Sequence, residues 1–197
     1  MTLDRDGNGY GSMWQLSIFL HWADLGSLAS APLPRPFSAQ LTMGVAHQLL
    51  EALRFLHQDA HVCHRDLKPS NVLLRSDGRV LVQDFGNSRQ LSHTFHSMRT
   101  YIGSQVYMSP ERINGMQYNC KSDIWATGLI LMELLLGRYP YSMTEKGDDA
   151  VFDLLTDIVE KPIPMSLLSQ LDVPAMVQHF LARYKHRTNP DVQLLQI

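Results

Sequence analysis

The sequence predicts a mainly α-helical fold with one small β-hairpin, and three patterns along the chain indicate it. Apolar side chains recur every three or four residues over 40–57, as in a helix that buries one face. Residues 124–136 are apolar on nearly every side, which is typical of a buried helix. Two short β-prone runs flank Asp77-Gly78, and that dipeptide favours a tight hairpin turn.

The other elements follow from composition and periodicity. Gln15–Leu20 is a strand-like run. Three prolines close together make 30–37 a loop, because such a run cannot continue a helix. Residues 87–108 are polar, rich in Ser and Thr and without periodicity, so we expect a long loop there. After it the chain is helical in pieces, over Val151–Val159 and Met176–Tyr184.

Composition excludes several classes of protein. The 197 residues are 45% hydrophobic and 18% charged, which indicates one globular domain and not a disordered chain. A net charge of −2 argues against nucleic acid or an anionic membrane as a partner bound by bulk charge. Cys63 and Cys120 are too few for a disulfide scaffold and suit a reducing compartment. No apolar stretch is long enough to span a bilayer and no secretory signal is visible, so we expect a soluble, cytoplasmic protein.

The hairpin places two oxygen ligands together if its turn has two residues. The numbers of facing residues then sum to 155, so Asn71 faces Asp84 at roughly 5 Å. An amide oxygen and a carboxylate at that separation suit Mg²⁺, which binds hard oxygen ligands. The same two residues could also end an ordinary hairpin, and a longer turn would break this register.

Residues just before the hairpin add groups for phosphoryl transfer. Asp66 lies five residues before Asn71, with Lys68 between them. A carboxylate there could accept a proton from a hydroxyl, and a lysine could neutralise a phosphoryl oxygen. The string His-Arg-Asp-Leu-Lys-Pro-Ser-Asn at 64–71, followed by Asp-Phe-Gly at 84–86, resembles the signature of the protein kinases.

The resemblance implies a role for each matched residue. Asp66 would orient the substrate hydroxyl and accept its proton, and Lys68 would neutralise charge on the transferred phosphoryl group. Asn71 and Asp84 would bind the Mg²⁺ that accompanies ATP. Arg65 would meet a phosphate on the loop that follows.

The match continues towards the C-terminus. Ser109-Pro110-Glu111 occupies the position of the family's Ala-Pro-Glu, which implies that Glu111 pairs with an arginine, most plausibly Arg187. Asp123, at the start of the buried helix, would brace the catalytic loop. The alternative for Asp123 is an ordinary helix cap.

Upstream, Ser17–Leu28 resembles the strand and hinge that hold the adenine of ATP. The resemblance implies that backbone groups of His21 and Ala23 bond the base, that Leu20 stands behind it and that Leu73 forms its floor. The same segment could also be an unrelated strand and turn.

Two further segments indicate a subfamily. Gly103–Arg112 and Gly137–Pro140 resemble the MAP kinase kinases, which phosphorylate Thr and Tyr in the loop of a MAP kinase. The implied partners are a MAP kinase-like protein substrate and an upstream activating kinase. That kinase would phosphorylate the 87–108 loop at Thr94 and Thr100, which we favour over Ser97.

Part of the kinase pattern is missing from the sequence. A kinase needs a Gly-rich loop, a strand lysine and a helix glutamate that pairs with it. Here the first lysine is Lys68 and the first glutamate is Glu51, and we interpret the Gly-rich run at 7–12 as a turn. We therefore expect a partial kinase domain over 1–197. Residues 1–29 would be the last N-lobe strand and the hinge, 30–197 would be the C-terminal lobe, and the N-terminal lobe would be largely absent.

Two consequences are expected from that reading. The chain alone would bind ATP weakly, and apolar groups would face solvent and invite a partner that supplies or caps the missing lobe. These groups are Ile18, Leu20, Leu73 and Phe85. The predicted function is Mg²⁺- and ATP-dependent phosphotransfer to Ser, Thr and Tyr of a MAP kinase-like protein, impaired in this chain. The alternative is a non-catalytic docking or scaffold protein built on the same lobe.

Overall fold

A computed structural model describes residues 20–85, 105–141 and 148–168, together with residues 171, 173 and 178. Within these residues the α-helices are α1 Ala39–Arg54, α2 Pro110–Ile113, α3 Lys121–Leu136 and α4 Asp148–Glu160. The strands β1 Val72–Leu74 and β2 Val80–Val82 form a two-stranded antiparallel sheet. Single turns of π or 3-10 helix lie at Phe55–Asp59, Pro69–Asn71 and Met165–Leu168. The mainly helical fold with a small hairpin is confirmed, and its assignment to one kinase lobe stays a prediction.

Helix α1 forms where the apolar periodicity predicts it. The Ser38 side chain accepts a hydrogen bond from the Leu41 backbone N–H at 3.2 Å and caps the amino terminus of the helix. The apolar residues of one face are buried in the core: Val45, Ala46, Leu49 and Leu53. A π-helical turn, Phe55–Asp59, follows directly and contains His57.

Helix α3 is central, and its side chains enter two hydrophobic clusters. One cluster joins α3 to α1 and the hairpin through Ala126, Ile130, Leu131 and Leu134. The other joins α3 to α4 through Trp125, Leu129, Met132 and Leu135. Because the helix is covered on both sides, it needs no polar face, which explains its apolar sequence. It ends at Gly137, whose φ of +70° favours glycine.

The hairpin is present, but its register differs from the predicted one. Val72 pairs with Val82, so the numbers of facing residues sum to 154 and not to 155. The partner of Asn71 is therefore Gln83, whose backbone N–H donates to the Asn71 carbonyl at 3.0 Å. Asp84 lies one residue beyond that pair, so the predicted facing of Asn71 and Asp84 is wrong.

A three-residue loop causes this shift. The Arg75 N–H donates to the Arg79 carbonyl at 2.9 Å, which leaves Ser76, Asp77 and Gly78 in the loop. Gly78 has a φ of +82°, the left-handed conformation of the glycine that ends three-residue hairpin loops. The Asp-Gly dipeptide favours a hairpin in either loop length, so the sequence pattern did not distinguish them.

A segment before α1 lies along the free edge of β1. Ser27 forms an isolated antiparallel bridge with Leu73. The Leu28 N–H donates to the Val72 carbonyl at 2.7 Å, and the Leu74 N–H donates to the Gly26 carbonyl at 2.8 Å. These bonds attach the predicted hinge region to the hairpin.

Cys63 and Cys120 form a disulfide, although they lie 57 positions apart in sequence, with Cα atoms 4.9 Å apart. The sequence pattern did not predict this bond, and the reducing compartment stays a prediction. The physical reason is tertiary, because the fold brings the loop before His64 beside the first turn of α3.

Several predicted segments lie outside the described residues. These are the strand at 15–19, most of the loop at 87–108 and, apart from residue 178, the helix at 176–184. In the part of the chain that is described, no helix is long and apolar enough to cross a membrane.

Candidate active site

A buried carboxylate holds the loop that carries the kinase-like motif. Asp123 is 2% exposed, and its Oδ1 accepts the Arg65 N–H at 2.8 Å. Its Oδ2 accepts the His64 N–H at 2.8 Å and lies 2.8 Å from the His57 Nε2. The predicted bracing role of Asp123 is confirmed. The helix-cap alternative is wrong, because Cys120 occupies the cap position of α3 and the Asp123 side chain binds another segment.

His64 joins the same loop to the hairpin. Its ring is fully buried, and Nε2 lies 2.9 Å from the Gln83 carbonyl. Since a carbonyl can only accept, Nε2 carries the proton and Nδ1 is the acceptor for the Asp66 N–H, at 3.3 Å. The Phe85 ring packs on His64, with 4.9 Å between ring centroids. The loop is thereby fixed to β2 as well as to α3.

Three of the predicted site residues come together on this loop. Lys68 Nζ lies 3.0 Å from Asp66 Oδ2. Asn71 Nδ2 donates to the Asp66 carbonyl at 2.7 Å and to Asp66 Oδ2 at 3.2 Å. The donors of Asn71 are thus engaged by Asp66, and the amide oxygen is the atom that remains to bind a cation. Lys68 and Asn71 thus both contact the Asp66 carboxylate.

Asp84 is the second predicted oxygen ligand for Mg²⁺. It follows β2, is exposed, and has a φ of +66°, so the extended strand ends there. The hydrogen bond between Asn71 and Gln83 places Asp84 directly after the strand partner of Asn71. Because the donor set is an amide oxygen and a carboxylate, the residues fit Mg²⁺ by their chemistry.

The four residues predicted to hold adenine differ in their burial. Leu20 is 82% exposed and His21 is also exposed, whereas Ala23 and Leu73 are partly buried. The bridge of Leu73 to Ser27 brings that residue against the hinge region, and no described contact brings Leu20 there.

The hinge region is held at one further point. Asp24 Oδ1 accepts the Ser76 N–H at 3.0 Å. The Ser76 hydroxyl, followed by its backbone N–H, lowers the pKa of Asp24 below the ordinary value of an aspartate. The charged carboxylate thus joins the hinge region to the hairpin loop.

Among the described residues Glu111 contacts Ser122, and its predicted pairing with Arg187 stays a prediction. Its Oε1 accepts the Ser122 hydroxyl at 3.1 Å, and that hydroxyl lies 2.9 Å from the hydroxyl of Ser109. Arg187 lies outside the described residues, as do Thr94, Ser97 and Thr100.

A cavity of about 360 Å³ opens beside Lys68, and sequence reasoning did not find it. Its lining residues are Ala29, Arg35, Lys68, Pro69, Ser70, Tyr107, Glu133 and Gly137. The Tyr107 hydroxyl donates to Glu133 Oε2 at 2.5 Å. Burial, and then the Glu133 charge, raises the pKa of Tyr107 far above that of a free phenol. The available signal was Glu133 itself, an acid inside an otherwise apolar helix.

Sequence reasoning also missed Arg112 as a contact of the motif. Arg112 Nη1 donates to the Arg65 carbonyl at 2.6 Å. The guanidinium groups of Arg112 and Arg65 lie 5.0 and 5.8 Å from the ring centre of Tyr118. No local pattern predicts these contacts, because the segments are joined only by the fold.

Comparison with known proteins agrees with this geometry. The protein kinase domain model matches residues 12–186. The chain is 39% identical over 152 residues to "Mitogen-activated protein kinase kinase 2" of Arabidopsis thaliana, covering 76% of this chain and 42% of that protein. It is 40% identical over 154 residues to "Mitogen-activated protein kinase kinase 1c" of Physcomitrium patens, covering 75% and 43%.

A relative outside the plants gives the same result. The chain is 40% identical over 129 residues to "Dual specificity mitogen-activated protein kinase kinase 1" of Dictyostelium discoideum, covering 63% of this chain and 19% of that protein. The chain spans about two fifths of the length of the two plant relatives and 19% of the length of the Dictyostelium discoideum relative. With the motif, the bracing aspartate and these similarities in agreement, the chain belongs to the protein kinase domain family.

Proposed function

We propose that the protein transfers the γ-phosphoryl group of ATP to Ser, Thr and Tyr hydroxyls of a MAP kinase-like protein. The observation that carries the proposal is the arrangement around Asp66. Its carboxylate is held by Lys68 at 3.0 Å and Asn71 at 3.2 Å, on a loop that the buried Asp123 anchors. Preorganised groups of this kind are what phosphoryl transfer requires of a protein.

Each residue has one task in the proposed reaction. Asp66 orients the acceptor hydroxyl and takes its proton, and Lys68 places a positive charge beside the transferred phosphoryl oxygens. The amide oxygen of Asn71 and the carboxylate of Asp84 would hold Mg²⁺. When bound, Mg²⁺ neutralises charge on the phosphate oxygens of ATP.

Adenine is proposed to lie against the hinge region. His21 and Ala23 would offer backbone hydrogen bonds, and Leu20 and Leu73 would enclose the base. Since no lysine precedes Lys68, we propose that the 197-residue chain alone binds Mg·ATP weakly and that its phosphotransfer is impaired.

Partners are proposed from the same reading. An upstream kinase would phosphorylate the loop at Thr94 and Thr100, where Arg65 would pair with a phosphate. A second polypeptide that supplies or caps an N-terminal lobe would cover Leu20 and Trp22, which are both 82% exposed. We propose the cytoplasm as the site of action, where the glutathione pool would reduce an accessible Cys63–Cys120 bond.

A phosphotransfer assay tests the reaction. The 197-residue chain is incubated with Mg·ATP and a MAP kinase whose own catalytic aspartate has been replaced, and the phosphorylated residues are identified by mass spectrometry. We expect slow phosphorylation, which Asp66→Asn lowers by at least about 100-fold. Equal activity of the two proteins would overturn the proposed function.

The nucleotide and the second candidate function are tested together by calorimetry. A scaffold function predicts binding of the MAP kinase with no phosphotransfer and no effect of Asp66→Asn. Weak binding of Mg·ATP that Asp84→Asn removes supports the proposed ligands. Micromolar affinity for Mg·ATP would contradict the expected weak binding.

A further inference from the structure

We propose that Arg112 is a positioning residue for the catalytic loop, acting on Asp66 through the Arg65–Asp66 peptide bond. Arg112 lies in α2, and its Nη1 donates to the Arg65 carbonyl at 2.6 Å across 47 positions of sequence. That carbonyl belongs to the same peptide unit as the N–H of Asp66. The catalytic role of Asp66 in this inference rests on the proposed function, whereas the contact between Arg112 and Arg65 rests on the geometry alone.

The backbone at Arg65 requires support from other segments. Its φ is +70°, in the left-handed region that residues with a side chain rarely adopt. Asp123 accepts the N–H on one side of Arg65, at 2.8 Å, and Arg112 donates to the carbonyl on the other side. The two contacts together hold Arg65 in this conformation and thereby orient Asp66, the next residue of the loop.

The guanidinium of Arg112 is itself held in place. It lies 5.0 Å from the ring centre of Tyr118, in the range of a cation–π contact, and its residue is partly buried. A guanidinium is planar, so it can stack on an aromatic ring while one of its N–H groups donates to the carbonyl. Lysine could donate to the same carbonyl but would stack less well, so Arg112→Lys should keep part of the function.

An alternative role for Arg112 is direct binding of a phosphate on the 87–108 loop, together with Arg65. The two roles differ in one respect. Positioning of Asp66 operates in the unphosphorylated chain, whereas phosphate binding affects only the phosphorylated chain.

Amide hydrogen exchange of the full 197-residue chain tests the contact without any assay of activity. In unphosphorylated Arg112→Met, the amides of Arg65 and Asp66 should exchange about tenfold faster than in the wild type, with Ile130 in α3 unchanged. Arg112→Lys and Tyr118→Leu should give smaller increases, and Arg79→Met on the exposed hairpin should give none. Unchanged rates at Arg65 and Asp66, or an equal increase throughout α3, would overturn the proposal.

Kinetics test its consequence. Arg112→Met should lower kcat by about 10- to 100-fold with KM for ATP changed less than about twofold, and Arg112→Lys should recover part of kcat. A loss seen only after phosphorylation of the loop would assign Arg112 to phosphate binding and contradict positioning. If the wild type and Asp66→Asn are equally inactive, the proposed function fails, and hydrogen exchange still decides the role of Arg112.

Discussion

The carboxylate of Asp123 is buried and binds groups that lie 58 to 66 positions earlier in the sequence. Two are backbone N–H groups of the motif loop, and the third is the ring of His57. These hydrogen bonds offset the cost of burying a polar carboxyl group. One side chain therefore determines where His64 and Arg65 lie, and through them where Asp66 lies.

Replacing Asp123 with alanine should lower the free energy of unfolding by about 3 kcal/mol, because buried N–H donors lose their acceptor. The measurement is urea unfolding followed by circular dichroism. The control is Asp153→Ala in α4, an exposed residue that should change stability by less than about 0.5 kcal/mol. Equal effects of the two substitutions would contradict the bracing role.

At the scale of elements, the hairpin shows how one residue changes a site. The turn dipeptide predicted the hairpin, and the three-residue loop moved the partner of Asn71 from Asp84 to Gln83. A two-residue and a three-residue loop use the same residue types, so the local sequence did not separate them. The helices were predicted better, because α1 and α3 are long and their apolar patterns reflect burial directly.

Replacing two glycines with alanine should change the free energy of unfolding in opposite directions. Gly78 in the hairpin loop has a φ of +82°, so Gly78→Ala should lower the free energy of unfolding by about 1 kcal/mol. Gly44 lies inside α1 with no atom within 4 Å of an added Cβ, so Gly44→Ala should raise it by about 0.5–1 kcal/mol. Denaturant midpoints of the two variants provide the measurement. A stabilising Gly78→Ala would contradict the three-residue loop.

Across the whole molecule, contacts between distant segments join the motif loop, the hairpin and the helices. The disulfide ties the motif loop to α3, and three tyrosines lie together near the carboxyl-terminal end of α3. The rings of Tyr107 and Tyr139 meet edge to face at 5.5 Å, and Tyr139 packs near Tyr141. Neither set of contacts follows from sequence spacing.

Reduction of the disulfide should lower the free energy of unfolding by up to about 4 kcal/mol, because the bond restricts a long loop in the unfolded chain. Urea unfolding with and without dithiothreitol measures the loss. Cys63→Ser should have the stability of the reduced wild type in both conditions and show no response to the reductant. A wild type that does not respond would contradict the bond.

Stability should fall as the pH rises above about 10. Burial raises the pKa of Tyr141 to about 12, and it raises the pKa values of Tyr107 and Tyr139 further. The unfolded chain therefore loses these protons first, and each tyrosine then favours unfolding by about 1.4 kcal/mol per pH unit. Urea midpoints between pH 8 and 11 measure the slope. Tyr141→Phe should make the fall in stability with pH shallower. An unchanged slope would contradict the raised pKa of Tyr141.

The linear sequence was sufficient for the helical character, the presence of a hairpin and the kinase-like motif at 64–71. These features depend on interactions among residues within a few positions of one another, which leave periodic or contiguous patterns. The strand partner of Asn71, the Cys63–Cys120 bond and the contact of Arg112 with Arg65 depended on the packing of distant segments. Such contacts form only once the chain has folded, because residues far apart in sequence carry no local pattern that would predict them.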